Sequence, residues 1–413
     1  MTDRPRVVIA GAGPAGLFAA DLLAAAGAAV TVYDRMPSPA RKLLLAGRGG
    51  LNLTHSEPRQ AFLSRYPDLP SQVRGAIDAF PPSALRAFAA ALGQPTLVGS
   101  SGRVFPEAFK ASPLLRAWLA RLAGLGVTLR SQHRLVGFAD DGRLVFEGPE
   151  GRVVPPHDVA LLALGGASWP RMGSDGAWSV ILAKRGVPVR PLVASNSGID
   201  IAWSAGFAER FAGTPLKAIA LSFGKNAVRG EAMVTATGLE GGAIYALSAA
   251  LRDAVAAGGA SLTVDLKPDV SVADLAARLG RARSGDSLSN VLKKQAGLAP
   301  VAAAILREGT GGPPVREPAR LAAAIKSLVL PVAAMRPLER AISSAGGIDR
   351  SALSDTFEIS GHPGLFAAGE MLDWDAPTGG YLLQATFATA AAAARGMAAR
   401  LGLTLPEAPS QDW

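Results

Sequence analysis

A short apolar run, Val7–Ala10, enters Gly11-Ala-Gly-Pro-Ala-Gly16, and Leu17–Ala26 continues in strong helix formers until Gly27 offers a stop. Ala29–Tyr33 is rich in β-formers and ends in Asp34. Strand, tight turn, helix and strand make one βαβ unit, which commits this end of the chain to a parallel sheet covered by helices. The glycine spacing adds a second requirement. Gly11 permits the turn, Gly13 lets backbone approach a pyrophosphate, and Gly16 lets the helix pack closely on the strand. The helix start presents unpaired N–H groups and a partial positive charge. Asp34 is placed to accept hydrogen bonds from a ribose. Together these residues predict a dinucleotide site, and the carboxylate disfavours a 2′-phosphate, which suits FAD or NAD over NADP. The plainer alternative is a glycine turn in a βαβ fold that binds nothing.

The rest of the chain reads as a second context interrupting the first. Residues 37–58, rich in Pro, Gly, Arg and Asn, predict a long ordered loop over a ligand. Helical patterns follow near Ser71–Ala79, Ser83–Leu92 and Ser112–Leu125, then strands at Val127–Arg130, Leu135–Phe138 and Leu144–Phe146. Val159–Leu164 is a continuous apolar run into Gly165-Gly166, as a buried parallel strand requires. From about Pro191 short β-like segments take over, and Val272–Leu328 is helical apart from the break at Gly309–Pro314. After Ala341 strand-like segments return, ending in Gly364–Ala368 and an Ala-rich helix from about Tyr381 to Leu401. The expected domains are residues 1–190 with 341–413, an inserted β-rich domain over 191–270 with 329–340, and a helical subdomain over 271–328.

Composition removes several function classes. The 413 residues include no cysteine, which eliminates disulfides, thiolate nucleophiles, zinc ribbons, iron–sulfur clusters and dithiol redox chemistry. His55, His133, His157 and His362 are isolated and show no metal-ligand spacing. Ser168 and Ser174 lack a nucleophile-elbow context. No apolar stretch reaches the roughly 18 residues of a membrane span. Arg4 and Arg6 ahead of an apolar run resemble a secretory leader, but glycines and Asp21 interrupt it, and a cytoplasmic protein is expected. The net charge of +9 comes from basic residues scattered in at most pairs, so nucleic acid is not the expected partner.

Two further glycine signals lie at strand ends: Gly165-Gly166, and Gly364-Leu-Phe-Ala-Ala-Gly-Glu370 followed by Thr378-Gly-Gly-Tyr381. A second helix N-terminus arriving at a glycine pair can present amides to the electron-rich edge of an isoalloxazine. With Gly11–Gly16 and Asp34, these segments resemble the two-dinucleotide-fold flavoproteins related to glutathione reductase. More narrowly, several motifs resemble the BaiN/YhiN-type bacterial flavoproteins, in the family's order along nearly the whole chain. They are Arg41-Lys-Leu-Leu-Leu-Ala-Gly47 with Asn52-Leu-Thr54, Gly102-Arg-Val-Phe-Pro106, Gly165-Gly-Ala-Ser-Trp-Pro170 with Gly173-Ser174, Thr237-Gly-Leu-Glu-Gly241, Ala345-Gly-Gly347, and Ala368-Gly-Glu-Met-Leu-Asp373 with Thr378–Gln384.

The resemblance implies an α/β protein: a discontinuous Rossmann-like FAD-binding domain with an inserted β-barrel-like domain and a small helical domain. It implies an FAD-dependent oxidoreductase, with NAD(P)H as electron donor and a small organic molecule, such as an unsaturated carbonyl compound, as substrate. Carried over by position, Gly11, Gly13, Pro14, Ala15, Gly16, Asp34 and Arg35 form the adenosine–pyrophosphate site. Arg41 and Lys42 match the loop beside the phosphates, and Leu135 a backbone contact to adenine. Gly166, Gly369, Glu370, Gly380, Tyr381 and Leu382 match the ribityl and flavin segment. Arg48, Asn52 and Tyr381 are the weak candidates for catalysis; Asp373 and Asp375 flank Trp374 beside the same segment, where turn or cap roles compete with a general acid.

This chain departs from the family at two places. Gly50-Leu51 stands where relatives carry Arg-Cys, and a His common ahead of the Thr-Gly-Leu segment is missing, with Ala236 nearby. Mechanisms using that thiol or that histidine are excluded here. A flavin monooxygenase or oxidase, a flavin-containing RNA-binding or tRNA-modification protein, and a non-catalytic dinucleotide sensor are the competing readings.

Overall fold

The computed structural model describes residues 4–407 and Trp413. The chain forms two compact units, Met1–Val193 with Ser343–Trp413, and Ala194–Ile342. Each has its own apolar core.

The first unit is built on a five-stranded parallel sheet. Its strands are β1 (Arg6–Ala10), β2 (Ala29–Tyr33), β3 (Thr128–Arg130), β4 (Val159–Leu162) and β5 (Leu365–Ala367), in the spatial order β5-β4-β1-β2-β3. Val7 pairs with Val30 on one side and Val159 on the other, and Leu161 pairs with Phe366. The central strands are buried on both faces, which explains why Val159–Leu162 reads as an unbroken apolar run. Helix α1 (Pro14–Ala25) follows β1, α2 spans Arg41–Ala46, and α3 spans Tyr381–Leu401.

Helix α3 packs along α1, and its alanines let two backbones approach closely in the core. Phe18 anchors this contact, with ring centroids 5.0 Å from Phe387 and 5.1 Å from Phe80. Trp118 stacks on Phe387 at 5.6 Å. Burying each such ring stabilises by about 2–3 kcal/mol. Asp21 on α1 is buried beneath Arg121, whose Nε donates to both carboxylate oxygens at 3.0 and 2.9 Å.

The second unit carries a seven-stranded antiparallel sheet. One edge is Leu328–Val332 and the other is Ala334–Met335. Only Ala333 separates the two edge strands in sequence, so the sheet curls until its edges meet in one bent segment, the geometry of a barrel. Ala333 N donates to Asp200 O at 2.8 Å at that bend. Beside the sheet, helices Val272–Leu279, Leu288–Lys294, Pro300–Gly309 and Pro318–Lys326 follow one another. Among the described residues, no helix is long and apolar enough to cross a membrane.

Candidate functional site

In the first unit β2 lies on one side of β1 and β4 on the other. The order in which strands are added reverses between β1 and β4, so their carboxyl ends open the crevice where α/β sheets bind ligands. Gly11 leaves β1 with φ +107, and a Cβ there would overlap the carbonyl oxygen of Ala163 just past β4. A Cβ on Gly16 would overlap the carbonyl of Gly11. Gly13 differs. It caps α1 at φ −80 and ψ −179, and among the described residues a Cβ there would meet nothing within 4 Å. Two of the three glycines are therefore demanded by the fold, and the third faces open space. Pro14 fills the first helical turn at no cost in hydrogen bonds, and Ala15 follows buried.

Asp34 accepts the amide of Ala12 at 2.6 Å and that of Met36 at 2.7 Å, one on each carboxylate oxygen. Each oxygen keeps a lone pair for an outside donor. Burial pushes this carboxyl above 3.8, against the two amides and the nearby Arg35 and Arg41. The Arg35 side chain turns away to an ion pair with Asp175. Leu135 is buried in the strand Arg134–Phe138, paired with Phe146, whose ring stacks on Tyr33 at 4.3 Å.

Where the sequence predicts an irregular loop over 37–58, the structure has helix α2, a 3-10 turn at Gly47–Gly49 and a short strand, Thr54–His55. The flanking prolines and glycines mask the helix-forming run Arg41-Lys-Leu-Leu-Leu-Ala46. Ala40 N, donating to Ala12 O at 2.9 Å, ties this segment to the glycine turn. Arg41 keeps a buried Nε with no acceptor among the described residues. Lys42 is held by other side chains. Its Nζ donates to Glu370 Oε2 at 2.8 Å and to Ser168 Oγ at 2.9 Å. Glu370 also accepts the amides of Ser344 at 2.9 Å and Gly166 at 3.3 Å, and Ser344 Oγ accepts the amide of Ala167 at 2.7 Å. One network thus joins α2, the glycine turn after β4 and the turn after β5. Ser344 enters it unforeseen; its only sequence signal is its place before Ala345-Gly-Gly347.

Arg48 lies in the 3-10 turn, and its side chain is outside the described residues. Asn52 Nδ2 donates to the carbonyls of Thr54 at 2.8 Å and Val104 at 3.1 Å, which fixes the amide and leaves Oδ1 a buried acceptor without a donor among the described residues. Thr54 Oγ1 is buried and has no partner among the described residues either. Gly380, at φ +96, starts α3 where a Cβ would strike the backbone of Thr54, so this loop lies directly on the helix start. Gly369, at φ +80, sits where a Cβ would be 3.1 Å from Ala15 Cβ. The starts of α1 and α3, the Asn52–Thr54 loop and the Gly369–Glu370 turn therefore converge, with Leu382 partly buried in the first turn of α3.

Tyr381 is buried, and its hydroxyl donates to Glu57. Burial and the Glu57 carboxylate push its pKa well up, which suits an anchor more than an acid. Its ring stacks on His55 at 5.4 Å, and its carbonyl accepts the hydroxyl of Tyr66 at 2.8 Å. Asp373 is taken up by Arg190 at 2.9 Å. Glu57 and Tyr66, which hold Tyr381, carry no motif that would single them out in sequence.

The residues present fit an FAD. Gly13 offers open space at a helix start, Arg41 an orphaned donor beside it in the chain's path, and Asp34 free lone pairs at the end of β2. Asn52 Oδ1 and Thr54 Oγ1 supply polar atoms at the start of α3 that are unsatisfied among the described residues.

The chain is 24% identical over 412 residues to a 3-dehydro-bile acid delta(4,6)-reductase of Clostridium scindens, covering 96% of this chain and 99% of that one. It is 24% identical over 416 residues to a ribosomal RNA dihydrouridine synthase of Escherichia coli, with the same coverage, 96% and 99%. Among solved structures it is similar to a 3-ketosteroid-delta4-(5alpha)-dehydrogenase from Rhodococcus jostii RHA1, at 17% identity and a TM-score of 0.47, covering 97% of this chain and 98% of that one. The family described as HI0933-like protein Rossmann domain matches residues 5–396. The chain belongs to this family, the FAD-dependent Rossmann flavoproteins of the BaiN/YhiN type.

Proposed function

We propose that this protein is an FAD-dependent reductase that passes hydride from NAD(P)H to a carbon–carbon double bond conjugated to a carbonyl. The observation that carries the reading is the cradle at Gly13, open where Gly11 and Gly16 are walled by backbone. The bond type is supported by the two full-length relatives. A delta(4,6)-reductase of a 3-dehydro bile acid and a dihydrouridine synthase act on unlike molecules, yet each activity, by its name, concerns a double bond next to a ring carbonyl.

FAD, when bound, supplies the hydride-transfer chemistry. The chain supplies placement. Arg41 and the first-turn amides of α1 hold the pyrophosphate, and Asp34 accepts the ribose hydroxyls. The Lys42–Glu370–Ser344 network fixes the Gly165–Ala167 turn, so the floor of the crevice is set before ligand arrives. Asn52 presents Oδ1 as an acceptor, and the first amides of α3 favour negative charge at its start. Tyr381, tied to Glu57, locks the Asn52–Thr54 loop onto that helix. Without cysteine, no thiol relays electrons.

Anaerobic incubation of FAD-loaded protein with NAD(P)H and a 3-oxo-Δ4 steroid acid tests the reading. Loss of the enone absorbance with matching nicotinamide oxidation is expected. Turnover only with oxygen, yielding a hydroxylated product, would assign a monooxygenase instead.

A further inference from the structure

The motif Gly102-Arg-Val-Phe-Pro106 takes no part in the FAD cradle, yet it pairs with the strand that lies on the start of α3. Residues Arg103–Pro106 form the middle strand of a three-stranded antiparallel sheet, between Thr54–His55 and Thr96–Val98. Alternation along the strand decides which side chains share a face. Val104 and Pro106 are buried, and Val104 stands opposite the buried Thr54. Arg103 and Phe105 therefore share the outer face, with His55 opposite Arg103 and Leu97 opposite Phe105.

Phe109 extends this face. Its ring centroid is 5.5 Å from that of Phe105, at an interplanar angle of 31°, and the residue is 48% exposed. Its φ of +56 is a left-handed conformation that is strained for a bulky side chain. The strain is held from two sides: Phe109 N donates to Pro106 O at 2.8 Å, and Phe109 O accepts Leu51 N at 2.8 Å. A ring left half-exposed gains little from the core in return. Gly50, at φ +117, keeps the two rings uncovered, because a Cβ there would touch both, 3.6 Å from Phe105 and 3.7 Å from Phe109.

Arg103 marks the other end of the shelf. A Cβ on Gly379 would stand 3.9 Å from its Nε, so the side chain reaches the glycine pair where α3 begins. The strand is anchored there through His55, whose ring lies against Gly102 and stacks on Tyr381 at 5.4 Å. Among the described residues the Arg103 guanidinium makes no hydrogen bond, and no carboxylate lies within ion-pair reach of it. Glu57, two residues beyond His55, is already paired with Arg65 at 2.8 Å. An open pair of rings and an unanswered cation thus occupy one face, about 7 Å apart along one strand.

We propose that this face is a shelf for a flat apolar ring system bearing one carboxylate, with the rings on Phe105 and Phe109 and the carboxylate on Arg103. The fork of an arginine suits a carboxylate, and aromatic faces suit a flat ring. The short span from Arg103 to Phe105 suits a small molecule. That this occupant is the substrate rests on the reductase reading, whereas its binding does not.

Calorimetric titration of the FAD-loaded, full-length protein with 2-naphthoate and with its neutral counterpart 2-naphthamide tests the shelf. The wild type should bind the acid about tenfold tighter than the amide, or more. Arg103→Gln should weaken the acid by about 10- to 100-fold, the loss of one charge-assisted contact, and leave the amide within about twofold. Phe109→Gly should weaken both ligands by about tenfold. Because glycine accepts the left-handed backbone, the melting temperature of that variant should not fall. Arg74→Gln removes the same charge elsewhere on the first unit and should bind both ligands as wild type. Every variant should keep its FAD, read from the bound flavin absorbance. No binding of the acid, equal affinity for acid and amide, or equal loss of both in Arg103→Gln would overturn the shelf. So would wild-type binding by Phe109→Gly, and a change of that variant from dimer to monomer would then make the face a contact between copies. Binding as expected, with an unsaturated carbonyl compound left intact under NAD(P)H, would overturn the reductase reading and leave the shelf standing.

Discussion

Replacing Gly13 by Ala separates a cofactor cradle from a structural turn. At φ −80 and ψ −179, Gly13 has a conformation open to any residue, and its Cβ would have no neighbour within 4 Å among the described residues. Adding a methyl there removes freedom from the unfolded chain and should stabilise the FAD-free protein by about 0.4–1 kcal/mol. For a unit of this size that raises Tm by about 1–4 °C. The same methyl occupies the space through which a pyrophosphate reaches the α1 amides. Loss of about two charge-assisted hydrogen bonds, at roughly 1.5–3 kcal/mol each, weakens FAD about 10²- to 10⁴-fold. Gly16→Ala behaves oppositely: its Cβ overlaps the Gly11 carbonyl, so it should destabilise the FAD-free protein by about 1–3 kcal/mol or more. Fluorescence titration of FAD into FAD-free protein, paired with its thermal melt, reads both quantities. Wild-type FAD affinity in Gly13→Ala, or a lowered melting temperature in that variant, would refute the reasoning.

Three further outcomes follow from the same geometry. Lys42→Met leaves Glu370, whose side chain is only 10% exposed, without its cation, and should cost about 1–3 kcal/mol. Adding Glu370→Gln should recover part of that loss, and strictly additive losses in a double-mutant cycle would contradict the pairing. Asp349 is held at a pKa of about 2 by the Ser351 amide and hydroxyl and by Arg190. Its folded pKa lies below the ordinary 3.8, so the stability it contributes is present above pH 3.8 and drains as pH falls toward 2. Asp349→Asn should flatten the acid limb of Tm against pH, and an unchanged limb counts against it. Tyr381→Phe should lower stability by about 1–2 kcal/mol while leaving kcat/KM for enone reduction within about threefold. A hundredfold fall with loss of a limb in the pH profile would make the hydroxyl a proton donor.

What the sequence discloses and what it hides follow from range. The βαβ unit at the N-terminus is legible because turn, helix start and acidic strand end are local choices, made by Gly11, Gly13, Pro14 and Asp34 within one short stretch. Helix α2 is hidden because Pro and Gly on both sides of Arg41–Ala46 outweigh a short run of helix formers. The short helices Ala205–Phe211 and Ser248–Ala256 are lost in the same way among β-forming segments. The partnership of Lys42 with Glu370 spans most of the chain and is set by topology, which brings α2 and the turn after β5 to one crevice; a charge pair read at Arg41-Lys42 cannot show it.

The central claim is an FAD held at Gly13 and used for reduction, and an anaerobic visible spectrum tests it most directly. Purified protein, or FAD-free protein given FAD and passed through a desalting column, should retain a flavin absorption band. That band should bleach on addition of NAD(P)H and return when an unsaturated carbonyl compound is added without oxygen. Protein that emerges colourless, or flavin that NAD(P)H leaves oxidised, would contradict the account.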